Sequence, residues 1–258
     1  MLLAMSQVSG GRWFGPAGSS TGDAQVFVFP YAGGVAASFA QWQELAAPEL
    51  SVQVALMPGR GARLHEAPVD DLPELVDALA TAVIERASGP FLLAGHSLGA
   101  LVAFEVTREL RRRGAPAPLA LLVGGAEAPQ TRLVRRRVHD LDDAGLVEAL
   151  RDFGATPVAL LADRDLMELV LPAVRADFAL SERYVYRPEP PLVVPVHVLL
   201  GDRDEHVDPD RAAGWARECV TEPLRHVFPG GHFFLSDHLP EIIDLMRHIV
   251  ASHTAVAD

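Results

Sequence analysis

Ten residues, Phe91-Leu92-Leu93-Ala94-Gly95-His96-Ser97-Leu98-Gly99-Ala100, constrain this 258-residue chain more than any other stretch. Their apolar beginning reads as a short buried strand, and Val102, Ala103, Val106 and Leu110 continue behind them at helical spacing. Only Gly95-His96-Ser97-Leu98-Gly99 is left between strand and helix to turn the chain. A strand, a sharp turn and a helix are the setting in which a serine hydroxyl is lifted clear of a sheet edge, and a side chain at either glycine would collide with its neighbours. The bare Gly-x-Ser-x-Gly pattern arises by chance in roughly one chain in ten of this length. Its flanks make it specific. Ser97 is the candidate nucleophile, against the plainer alternative of a glycine-rich turn.

The rest of the chain alternates short apolar runs with helical patterns. Strands are expected at 26–29, 52–56, 91–94, 119–123, 193–200 and 224–228. Helices are expected at 36–45, 72–87, from 98 to about 113, and at 209–219 and 240–250. This rhythm predicts an α/β fold with a mostly parallel sheet covered on both faces. It breaks once: between about 126 and 191 no strand pattern appears, and helices near 142–153 and 165–184 replace it. That insertion reads as a lid over the strand ends, where open α/β sheets bind ligands. The expected organisation is a flexible lead-in at 1–22, the core at 23–125, the helical lid at 126–191 and the rest of the core at 192–258. Trp13 and Phe14 are the residues of the lead-in able to anchor it. A net charge of −12 gives nucleic-acid binding no global support, and no apolar run approaches the roughly 18 residues of a membrane span. A single cysteine, Cys219, rules out an internal disulfide framework and suits a reducing cytoplasm.

A serine hydroxyl needs a base, and the base needs an acid to hold it. In the α/β-hydrolases, whose nucleophile elbow residues 91–100 resemble, these follow in the order serine, acid, histidine, on loops after late strands. Two loops here qualify: Gly201-Asp202-Arg203-Asp204-Glu205-His206-Val207 and Pro229-Gly230-Gly231-His232-Phe233-Phe234. Of ten histidines, His232 has the right position, after the last strand and a flexible Gly-Gly. His96 adjoins the serine and should point away from it, and the others fall on predicted helices, strands or solvated turns. Asp204, in a Gly-x-x-Asp-x-x-Val arrangement, is the first choice of acid, Asp202 the second and Glu127 the third. An oxyanion hole needs two backbone N–H groups. Leu98, next after the nucleophile, should supply one, and Ala32, in the small and flexible loop after the first strand, the other.

The chain resembles the type II thioesterases, the stand-alone editing enzymes of polyketide and nonribosomal peptide synthesis, over nearly its whole length after the lead-in. The matching pieces are Phe29-Pro30-Tyr31-Ala32-Gly33-Gly34, Pro58-Gly59-Arg60, Gly95-His96-Ser97-Leu98-Gly99-Ala100, Leu171-Pro172 with Arg175-Ala176-Asp177, Tyr184-Val185-Tyr186 and Gly230-Gly231-His232-Phe233-Phe234. The resemblance implies an α/β-hydrolase fold that removes aberrant or stalled acyl groups from the phosphopantetheine arm of acyl or peptidyl carrier proteins. Ser97, Asp204 and His232 would form the triad, with Ala32 and Leu98 as oxyanion donors. It implies no metal and no bound cofactor, since the phosphopantetheine belongs to the carrier partner, and a cytoplasmic monomer is expected. One position departs from the family pattern: many members carry proline after the acid, where this chain has Glu205. Two arginine-rich stretches, Arg108 with Arg111–Arg113 and Arg132 with Arg135–Arg137, read first as solvated charge and second as a patch for acidic carrier domains.

Overall fold

The computed structural model of the chain describes residues 13–15, 22–134, 136–154 and 158–257. Six strands, β1 (Ala24–Phe29), β2 (Leu50–Val54), β3 (Phe91–His96), β4 (Leu121–Gly124), β5 (Val196–Gly201) and β6 (Leu224–Phe228), form one sheet in the order β2-β1-β3-β4-β5-β6. Every neighbouring pair is parallel. A parallel sheet is covered on both faces, and its central strands β1, β3 and β4 are accordingly apolar at successive positions, whereas the edge strands β2 and β6 carry Ser51, Gln53, Arg225 and His226. In β1, Phe27 and Phe29 join one cluster and Val26 and Val28 the other, all nearly inaccessible to solvent. The first face packs α2 (Leu72–Arg86) and α3 (Leu98–Arg112), through residues such as Leu75, Leu79, Phe104 and Val106. The second packs α1 (Ala40–Ala46) and α8 (Leu239–Ala257), through Trp42, Ile242, Ile243 and Met246.

Among the described residues, the 126–191 region holds three helices, α4 (Asp143–Phe153), α5 (Val158–Leu161) and α6 (Arg164–Glu182). They enclose a third apolar cluster that includes Leu146, Leu150, Leu171, Val174 and Phe178. Asp142 and Asp163 cap α4 and α6, their carboxylates accepting the N–H of Gly145 and of Leu166. Helix α5 was not anticipated, being a single turn too short to show a period. The helix expected at 36–45 divides into a 3-10 turn (Ala36–Phe39) and α1, and that at 209–219 into α7 (Pro209–Ala212) and a 3-10 stretch (Ala213–Glu218). Most of the lead-in lies outside the described residues, but Trp13 and Phe14 are buried. Phe14 bridges antiparallel to Ala55 and packs on Phe27 and Phe29, and the Arg63 guanidinium covers the Trp13 ring. Among the described residues no helix is long and apolar enough to cross a membrane.

Two histidines in the outer strands make stability sensitive to acid. His197 of β5 and His226 of β6 stack, with Nδ1 and Nε2 3.0 Å apart. Burial, then the neighbouring ring, pushes His197 down to about 4, and burial alone lowers His226. The unfolded chain titrates near 6.5, so it takes up protons that the fold refuses, and stability falls as pH drops from that value towards the folded one. The melting temperature is expected to decline from pH 6.5 to 4.5, each such histidine contributing at most about 1.4 kcal/mol per pH unit. His197→Gln should flatten the decline; an unchanged slope would show that this pair is not its source.

Candidate active site

Because all six strands run the same way, the loops after β1, β3, β5 and β6 open at one edge of the sheet, and the candidate residues lie on those loops. Ser97 joins β3 to α3 with φ 55° and ψ −116°, the single non-glycine residue with positive φ among the described ones. Such a conformation costs of order 1–3 kcal/mol and persists where surroundings dictate it. Here the Ser97 N–H is held by the Gly124 carbonyl at 2.8 Å, and the flanking glycines are forced. A Cβ on Gly95 would lie 2.0 Å from the Gly99 carbonyl oxygen, and one on Gly99 would lie 1.9 Å from that of Phe29. Both obstacles are backbone. Gly99→Ala is therefore expected to destabilise by more than about 4 kcal/mol, lowering Tm by roughly 10 °C or more. A variant melting within about 2 °C of the parent would show that the elbow can relax.

The acid and base meet as the chain order predicts. His232 Nδ1 lies 2.8 Å from Asp204 Oδ2, both side chains almost fully buried. Asp204 Oδ1 also accepts the His206 N–H at 2.9 Å, a local turn across Glu205 that fixes the carboxylate. Burial works against ionisation of Asp204. The hydrogen bond and charge of His232, with the His206 amide and ring, outweigh it and hold the carboxyl below its usual range. The two other acids do different things. Asp202 accepts the Gly230 N–H at 2.8 Å and ties the two loops together, while Glu127 accepts the amides of Leu133 and Asp208.

Ser97, Leu98, Ala32 and His232 line one cavity of about 340 Å³ beneath the lid. Ser97 and His232 share it without a hydrogen bond between them, a contact that in such sites commonly tightens only when substrate is bound. Among the described residues, neither the Ala32 nor the Leu98 amide has an acceptor within the protein. Leu98 is moreover the first residue of α3, where the helix dipole favours negative charge. Ala149 and Phe153 of α4 and Phe178 of α6 supply the apolar wall, with Val138 beside them. His206 stacks on Phe153 with ring centroids 4.4 Å apart.

His96 does not line the cavity, and its ring packs against that of His232 with centroids 4.9 Å apart. It is 1 % exposed, wedged against Gly124 and Gly125, and burial followed by the neighbouring His232 pushes it down to about 3, so it stays neutral. His139, expected on a helix, instead sits in the turn before α4, where it contacts the Glu182 carboxylate. Sequence reasoning gave Arg60 and Asp177 no role beyond marking a resemblance, yet they form a buried ion pair. Their separation by 117 positions hides the pairing. The α3 arginines are spoken for: Arg108, Arg111 and Arg112 converge on Glu189, and Arg113 on Glu109 and Asp77. Arg132 and Arg136 line the cavity, Arg137 pairs with Asp140, and Arg135 lies outside the described residues.

Comparison with known proteins agrees with this architecture. The thioesterase-domain family model matches residues 24–250. The gramicidin S biosynthesis protein GrsT of Aneurinibacillus migulanus is 33 % identical over 246 residues, 95 % of each chain. Among solved structures, the type II thioesterase BorB from the borrelidin biosynthetic cluster superposes with a TM-score of 0.84 at 34 % identity, covering 92 % of this chain and 97 % of BorB. The thioesterase RedJ from the prodiginine pathway of Streptomyces coelicolor gives 0.81 at 37 % identity, covering 92 % and 94 %. With a family match spanning almost all of the sheet and both sets of flanking helices, this chain belongs to the thioesterase family, on an α/β-hydrolase fold.

Proposed function

We propose that this protein is a type II, editing thioesterase that hydrolyses stalled or aberrant acyl groups from the phosphopantetheine arm of acyl or peptidyl carrier domains. The observation that carries the reading is the convergence of Ser97, the His232–Asp204 pair and two unengaged amides on one lidded cavity. In this reading His232 Nε2 takes the Ser97 proton as Oγ attacks the thioester carbonyl carbon. The oxyanion is held by the Ala32 and Leu98 amides, and Asp204, ionised throughout, steadies the imidazolium. The C–S bond breaks, and the thiolate leaves with the proton from His232. Water, deprotonated by His232, then attacks the acyl-serine ester, and collapse of the second tetrahedral adduct frees the acid and returns the proton to Ser97. These steps need only the chain's own residues and water.

The carrier-domain partner is supported by the biosynthetic settings of the relatives and by Arg132 and Arg136 at the cavity, suited to a phosphate and an acidic surface. The α3 arginines, paired among themselves with Glu189, Glu109 and Asp77, are the poorer candidates for that contact. A cytoplasmic monomer fits a chain whose single cysteine is buried, its thiol pushed up to about 12 by burial and two nearby glutamates. The test is mass spectrometry of carrier proteins loaded with acetyl, propionyl or longer acyl groups and incubated with the enzyme. Loss of the acyl mass supports the reading. An untouched acyl-carrier, with p-nitrophenyl esters turned over instead, would make the protein a small-molecule esterase.

A further inference from the structure

The lid does more than cover the cavity, because one of its helices reaches under the oxyanion loop. Asp177 of α6 is 1 % exposed, and its carboxylate is gripped end-on by Arg60, at 2.5 Å from Nη1 and 2.6 Å from Nη2. The same Oδ2 that meets Nη1 accepts the N–H of Gly33 at 2.7 Å, the residue directly after Ala32. Arg60 also reaches back to the loop and to the helix, donating to the carbonyls of Gly34 at 3.5 Å and Ala173 at 3.4 Å. Packing follows the same line. Gly33, at φ +76°, lies where an added Cβ would touch Val174, and a Cβ on Gly59, at φ +82°, would come within 3.3 Å of Ala173. Helix α6 therefore meets the loop that carries Ala32 and the turn that carries Arg60.

We propose that Asp177, with Arg60, is a positioning residue for the oxyanion hole, fixing the Gly33 peptide and through it the direction of the Ala32 N–H. The inference rests on the thioesterase reading above and on Ala32 as a donor. Its physical basis is that the Ala32 amide sits in a loop with no regular secondary structure. Tyr31 to Gly34 form a turn closed by the Gly34 N–H on the Tyr31 carbonyl at 2.9 Å, but Gly33, at φ +76°, leaves the central Ala32–Gly33 peptide free to flip, so a fixed donor needs a further anchor at that peptide. A buried carboxylate accepting one N–H and a bidentate guanidinium is directional enough to provide it. In this arrangement α6 is a fixed part of the site. Asp177 does not line the cavity that holds Ser97.

A purely structural role would also bind α6 to the core, so the test must separate the two. Arg60→Met/Asp177→Leu exchanges the buried pair for apolar side chains of similar volume, a change often neutral for stability because no charge is left stranded. It removes the acceptor for Gly33. The double variant should melt near the parent yet lose about 100-fold in kcat, with KM changed less than about 3-fold. Asp177→Asn, which keeps an oxygen for the Gly33 N–H, should lose only about 5-fold. A trifluoromethyl ketone analogue of the acyl-pantetheine substrate forms a tetrahedral adduct whose oxyanion occupies the hole. Its inhibition constant should rise in parallel with the loss of kcat, while binding of the isosteric amide stays within about 3-fold. Recovery of kcat along with Tm in the double variant would overturn the proposal, as would equal weakening of ketone and amide. Wild-type enzyme that leaves acyl-carrier thioesters intact would instead overturn the functional reading, before any variant is compared.

Discussion

Ser97→Ala is expected to lower kcat for acyl-carrier hydrolysis by about 10⁶-fold while leaving the fold intact. The size follows from the unit nature of a triad, in which losing the nucleophile costs nearly as much as losing every member. The fold should survive because the Ser97 side chain makes no capping hydrogen bond to α3 and the strained φ of 55° is imposed from outside. The Gly124 carbonyl holds its amide, and Gly95 and Gly99 occupy space that admits no Cβ. Alanine can adopt the same backbone with no more difficulty than serine, so Tm should shift by no more than about 2 °C. A fluorophosphonate should label the parent at this residue and leave the variant unlabelled. Residual turnover above about 1 % of the parent would mean that another group attacks the thioester. Thr131 and Ser181 would then be the hydroxyls to examine, the second lying on the cavity wall.

Much of the fold could be read from the chain because each signal was local. The 91–100 stretch carries its strand, turn and helix within one window, and the apolar runs of β1, β3 and β5 are long enough to need burial on both faces. Chain order after the elbow was enough to single out His232 from ten histidines. The acid was left with three choices, since which of Asp202, Asp204 and Glu127 meets the His232 ring, and which meet only backbone amides, depends on how two loops fold over each other. What stayed hidden is non-local. The Arg60–Asp177 pair joins residues 117 positions apart. The pairing of Arg108, Arg111 and Arg112 with Glu189 depends on the segment after α6 returning across α3. Even α5 has no local signature, a four-residue turn being below the length at which a helical period is visible.

Asp204→Asn should be the second-largest loss, about 10⁴-fold in kcat, and it decides among the three acids. Asparagine preserves the shape and the hydrogen bond from the His206 amide. Facing Nδ1, however, it offers either an N–H or a neutral oxygen, so it no longer fixes the imidazole tautomer that leaves Nε2 free to take the serine proton. Asp202→Asn and Glu127→Gln should each stay within about 10-fold of the parent, because their carboxylates accept backbone amides and do not contact His232. A reversal, with Asp202→Asn the more damaging, would move the acid to the other position in the loop. Stability provides an independent check with a defined sign. The folded carboxyl of Asp204 lies below its unfolded value near 3.9, so the unfolded chain binds its proton first as pH falls. Its stabilising contribution is fully present above that value and is lost as pH drops through the folded one. The Tm gap between parent and Asp204→Asn should accordingly be widest at neutral pH and close towards pH 3, whereas a gap independent of pH would mean that the charge of Asp204 contributes nothing to holding His232 in place.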